Sequence, residues 1–108
     1  MAEERTSRPG PYADIAPALD DFTARVLFGE VWERPGLSKR DRSLVTVSAL
    51  VAGYRSNELQ YHLLRAVENG LTKEELIEAI THLAFYAGWP AANTAISIAR
   101  DVFTAGEG

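Results

Sequence analysis

The stretch Thr72-Lys-Glu-Glu-Leu-Ile-Glu-Ala-Ile-Thr-His-Leu-Ala-Phe-Tyr-Ala-Gly-Trp-Pro90 decides the fold class. Thr72 with Glu75 three residues on is a capping box, in which the hydroxyl and the carboxylate each satisfy a backbone N–H that a helix start would leave open. Leu76, Ile80, Leu83 and Ala87 then recur every three or four residues, the apolar face of a helix. Gly88 stops that helix. Pro90, with φ already fixed and no N–H to lose, suits the first turn of the next one. Two helices thus meet across a very short joint, and the sequence holds no alternating apolar–polar run of the kind a half-buried strand needs.

Working outward, the fifth helix carries Ala92, Ala95, Ile96, Ala99, Val102 and Phe103, an apolar face rich in small residues. Before Thr72, Ser56 is an N-cap candidate, and Leu59, Leu63 or Leu64, and Val67 lead to a stop at Asn69-Gly70. Ser38 with Asp41 opens a second helix that should run to about Gly53. Its segment from Leu44 to Ala52 is apolar on nearly every face, which predicts a central buried helix. Gly29 to Leu37 breaks the helical period and is expected to be an ordered loop with a helical turn. A first helix has Pro17 in its first turn, Asp20 and Asp21 at its positive end, and a stripe of Ile15, Leu19, Phe22 and Val26 that should face a partner helix. Residues 1–12, with Pro9, Gly10 and Pro11, are expected to be a flexible lead-in, 13–104 one domain and 105–108 a frayed end. The class is all-α, with five to six helices. A helix apolar all round is hard to cover in so short a chain, so subunits should cover each other in a homo-oligomer.

The 108 residues suffice for one core, and 46% hydrophobic with 24% charged residues is the balance of a water-soluble domain. There is no cysteine, so disulfides, thiolate metal sites and thiol nucleophiles are excluded. A net charge of -4 and a pI near 5.1 argue against nucleic acid as a partner. Arg34, Lys39, Arg40 and Arg42 make a local basic cluster that suits an acidic small-molecule substrate. With no apolar run of about 18 residues and a polar start, no membrane segment or signal peptide is expected and the cytoplasm is the expected location.

The acid–base candidates are His62, with Glu58 one turn before it, and His82, with Glu78 and Tyr86 one turn to either side. Each pair can orient an imidazole, although such pairs also occur on solvated helix faces. Glu30 lies between Gly29 and the apolar pair Val31-Trp32, where burial would raise its pKa and suit it to proton transfer. Trp32 and Trp89 can line a substrate pocket or anchor a core. Neither histidine has a metal-ligand spacing to a second ligand, so no metal is expected.

Four blocks resemble the carboxymuconolactone decarboxylase family: Gly29 to Trp32, Leu37 to Val47, Leu59 to Leu76, and above all His82-Leu-Ala-Phe-Tyr-Ala-Gly-Trp-Pro-Ala-Ala-Asn93. The likeness covers nearly everything from about Phe22 to Phe103. The resemblance implies an AhpD-like all-α fold and a homo-oligomer, a hexamer or trimer. Thiol peroxidases of the AhpD type carry Cys-x-x-Cys with a histidine four residues beyond. Counting back from His62, those positions are Arg55 and Glu58, and the family's upstream glutamate falls at about Ser43, so a disulfide relay is chemically impossible here.

The cysteine-free branch implies a decarboxylase that takes CO2 from a carboxylated lactone in the protocatechuate arm of the β-ketoadipate pathway, with no cofactor. Such a reaction needs a desolvated leaving carboxylate, a carbonyl to take up the electrons and an acid to protonate carbon. On that resemblance His62 or His82 is the proton donor and Glu30 its partner or an alternative acid. Arg42 and Arg55 would anchor a carboxylate, and Tyr86 would donate to the carbonyl. A non-catalytic oligomeric module binding a small ligand is the alternative.

Overall fold

The structure is a computed structural model in which residues 10–105 are described, so the expectations for the first nine residues and for 106–108 lie outside it. The described elements are α1 (Pro17–Asp21), continued by a π-helical segment (Phe22–Val31), then α2 (Lys39–Ala52), α3 (Ser56–Glu68), α4 (Lys73–Ala87) and α5 (Trp89–Ala105). No strand occurs among the described residues, and the class is all-α. The chain divides into two compact units, one ending at Lys39 and one beginning at Arg40.

In the first unit Pro17 takes the first turn of α1, where its missing N–H costs nothing. The helix does not end before Gly29. It widens, and the Trp32 N–H reaches the Leu27 carbonyl five residues back at 3.0 Å, the bond that defines π winding. This moves the start of the expected loop from Gly29 to Trp32, because a glycine inside a helix costs only about 1 kcal/mol against alanine and is no sufficient stop; residues 32–37 are turns and loop as expected. The Ile15, Leu19, Phe22 stripe is mostly open, Ile15 being 79% exposed, so the packing expected for it is not made within the single chain. Trp32 is buried and stacks on Phe28 at 6.0 Å.

In the second unit α5 is the helix on which the others close. Both α3 and α4 pack against it, and Ala92, Ala95 and Ala99 lie buried along one line where small side chains let backbones approach. Leu59, Leu63 and Ala66 of α3 and Leu76, Ile80 and Ala84 of α4 fill the core with Val47 and Val51 of α2. Within the single chain α2 is not covered all round: Val45 is 60% exposed and Ala49 and Ala52 face out, so its core contribution is one narrow stripe.

Three joints set the helix ends. The capping box forms as expected, with Glu75 N–H donating to Thr72 Oγ1 at 3.0 Å and Thr72 N–H to Glu75 Oε1 at 2.9 Å. The end of α3 is a Schellman motif, in which Gly70 N–H donates to Val67 O and Leu71 N–H to Ala66 O, with Gly70 at φ 110°. The end of α2 repeats it with Tyr54 N–H to Val51 O and Arg55 N–H to Leu50 O, so the left-handed residue is Tyr54 at φ 59° rather than Gly53. The next helix then begins with Ser56 already helical, and the capping position falls on Arg55, which makes no side-chain cap. The tight return from α2 moves the boundary one residue ahead of the serine.

Candidate active site

Arg40, Leu44 and Ser48 repeat at i, i+4, i+8 and therefore share one face of α2. On α4, Glu75, Glu78, Ala79, His82 and Leu83 share one face in the same way. With Leu71 these two faces enclose a groove of about 440 Å3. Leu44, Leu71, Ala79 and Leu83 give it an apolar floor, over which Arg40, Ser48, Glu75, Glu78 and His82 place their polar groups.

His82 stacks on Tyr86 one turn further along α4, with centroids 4.9 Å apart and rings inclined by 28°. Phe85 and Trp89 meet edge to face at 5.0 Å beside that end of the helix, and Phe85 is 73% exposed. At the start of the same face, Arg40 Nη2 donates to Glu75 Oε2 at 2.6 Å and Arg40 Nη1 to Asp41 Oδ1 at 3.1 Å. Glu75 is held from both sides, by the Thr72 N–H and by Arg40, and these donors keep its pKa below the ordinary carboxylate value.

His62 has a different setting. It is half-buried with its Nδ1 nitrogen inside, and Tyr61 meets it edge-on at 5.0 Å. Burial, aided by the Arg65 cation and opposed by Glu58, lowers its pKa from the usual 6.5. It does not line the groove.

Of the residues singled out from sequence, the structure brings His82 and Glu78 into one groove with Tyr86 stacked beside it. Arg42 and Arg55 do not line it. Glu30 is exposed, which corrects the burial expected from its apolar neighbours: Gly29 is only half-buried and Val31 is itself 38% exposed. Trp32 is a packing residue on Phe28, and Trp89 is open at the end of α4.

Of the other lining residues, Arg40 is expected only as one member of the basic cluster and Glu75 only as a helix cap, and Ser48 is not expected at all. Arg40 and Arg42 lie about 200° apart around a helix, so only one can face the groove, and nothing in the basic cluster itself says which. The i, i+4, i+8 pattern of Arg40, Leu44 and Ser48 was the available signal. Among the described residues no group of three or more His, Asp or Glu is placed to hold a metal ion, and no helix is long and apolar enough to cross a membrane.

Comparison with known proteins matches residues 17–101 to the carboxymuconolactone decarboxylase family. The chain is 47% identical over 90 residues to 4-carboxymuconolactone decarboxylase of Acinetobacter baylyi, covering 83% of this chain and 67% of that protein. It is 37% identical over 73 residues to a nitrosuccinic acid decarboxylase of Metarhizium robertsii, covering 68% of this chain and about half, 51%, of that enzyme. An uncharacterised 15.0 kDa protein of Paracoccus denitrificans is 28% identical over 91 residues, 82% of this chain and 68% of its own length.

Proposed function

The chain belongs to the carboxymuconolactone decarboxylase family, and on that premise we propose that it removes CO2 from a small polycarboxylic acid bound in the α2–α4 groove, with His82 as proton donor. The observation that carries this reading is that His82, of the two histidines, faces an apolar-floored cleft alongside polar groups.

The leaving carboxylate breaks its bond to carbon and departs as CO2, leaving an electron pair that delocalises into an adjacent lactone carbonyl or comparable acceptor. The floor of Leu44, Leu71, Ala79 and Leu83 favours this step by replacing water around the carboxylate, since its charge disperses as the bond breaks. The imidazolium of His82 then gives its proton to carbon and is restored from solvent. The Tyr86 ring, stacked on His82, fixes the plane of the imidazole. The Tyr86 hydroxyl is the candidate donor to the carbonyl oxygen that gains charge.

The groove is open in the single chain, and we propose that neighbouring subunits of a homo-oligomer complete it. The exposed apolar groups Val45, Phe85, Trp89 and Ile15 support that assembly, because monomers seldom leave so many large apolar side chains in water. Incubation with 4-carboxymuconolactone and with nitrosuccinate, following CO2 release, tests the reaction. Turnover of at least one is expected. Failure with both, in protein of verified fold and assembly, overturns the reading.

A further inference from the structure

A decarboxylase acting on a polycarboxylic acid must hold a carboxylate that it does not remove, and the arginines suggested by sequence for that task lie off the groove. Arg40 lines it. Its side chain is 40% exposed, so it is within reach of a ligand yet ordered by two ion pairs. A guanidinium has five N–H bonds. Among the described residues, Nη2 spends one on Glu75 and Nη1 one on Asp41, which leaves Nε and the second hydrogens of both terminal nitrogens as a forked donor.

The charges on the groove lining single this donor out. Glu75 and Glu78 both face the space an anionic substrate would fill, and of the lining residues only Arg40 and a protonated His82 are cationic. The Arg40–Glu75 pair cancels one of those carboxylates. Distance fits as well: Glu75, which holds Arg40, and His82 are seven residues apart on α4, about 10 Å at 1.5 Å per residue, room for a small diacid between them.

We propose that Arg40 docks the carboxylate the reaction retains, and that Glu75, pinned by the Thr72 cap, is a positioning residue that holds the Arg40 guanidinium at the end of the groove. This rests on the decarboxylase reading for the identity of the substrate, while the docking of a carboxylate can be measured without turnover.

The test pairs steady-state kinetics on 4-carboxymuconolactone with binding of succinate, a non-reacting diacid, followed by calorimetry or NMR. Arg40→Gln is expected to raise KM and weaken succinate about 10- to 100-fold, the worth of a charge-assisted hydrogen bond, with kcat changed little. Arg40→Lys keeps the charge and the pairing with Glu75 but loses the fork, so it folds normally and falls between wild type and Arg40→Gln. Glu75→Gln keeps an amide oxygen for the Thr72 N–H, so α4 stays capped, while its KM rises several-fold at constant kcat. Unchanged succinate affinity in both Arg40 variants, or no succinate binding by the wild-type protein, overturns the proposal. Loss of succinate binding in Arg40→Gln, in a protein that decarboxylates nothing, upholds Arg40 as a carboxylate dock and removes the reaction instead.

Discussion

The two histidines sit on successive helices with a glutamate one turn before each, yet their surroundings are opposed. His62 on α3 is drawn half into the packed side of the second unit, between Tyr61 and the core, and burial favours its neutral form. His82 on α4 is exposed on the open side, over a groove with an arginine at its other end. The same local motif therefore serves cohesion in one place and is available for chemistry in the other. What separates them is where each ring falls on its helix: α3 and α4 both close on α5, His82 lines the groove that α4 forms with α2, and His62 lines no groove among the described residues.

The sharpest way to break this contrast is His82→Gln. Loss of a positioned general acid typically costs about 100- to 10,000-fold in rate, and because the side chain is exposed, the urea midpoint should stay where it was. His62→Gln should do the reverse, retaining turnover per folded molecule. If His62→Gln abolishes turnover while His82→Gln does not, the two assignments are exchanged.

On the packed side, Ala99→Leu inserts a larger side chain at a position of α5 that is only 1% exposed. Overpacking of this kind costs about 1–3 kcal/mol, read as a lower denaturant midpoint. Succinate affinity of the remaining folded protein should be unaffected, since Ala99 does not line the groove. A fourth substitution links the two sides. Thr72→Ala removes the hydroxyl that caps α4 and costs about 1 kcal/mol of stability. The Thr72 N–H still donates to Glu75, so the Arg40–Glu75 pair and the KM should be largely preserved.

The sequence made the class legible because its strongest signals are local. The Thr72–Glu75 box and the Gly70 stop are set by bonds within a few residues, and both formed as read. What was not legible depends on partners distant in the chain. Tyr54 takes a left-handed conformation beside a glycine that could have taken it more easily, because the Schellman bonds of α2 are placed one residue later. The small alanines of α5 let it become the central helix, while α2, despite the apolar run from Leu44 to Ala52, stays one-sided. At the site, the Glu–His spacings are identical, so no reading of periodicity could choose between His62 and His82. Arg40 was hidden within a cluster of four cations until the phase of α2 was known.

The smallest effect concerns pH and isolates His62. Its pKa in the folded protein lies below 6.5, whereas in the unfolded chain it returns to about 6.5. Between those two values the unfolded chain binds a proton that the folded chain does not, so stability falls as pH drops through 6.5 and levels off once both states are protonated. Above 6.5 the term is absent. Urea midpoints measured from pH 8 down to 5 should therefore decline slightly in wild type, and the part of the decline due to this ring should vanish in His62→Gln but persist in His82→Gln. A decline that follows His82 instead would place the buried ring on α4 and erase the distinction between the two faces.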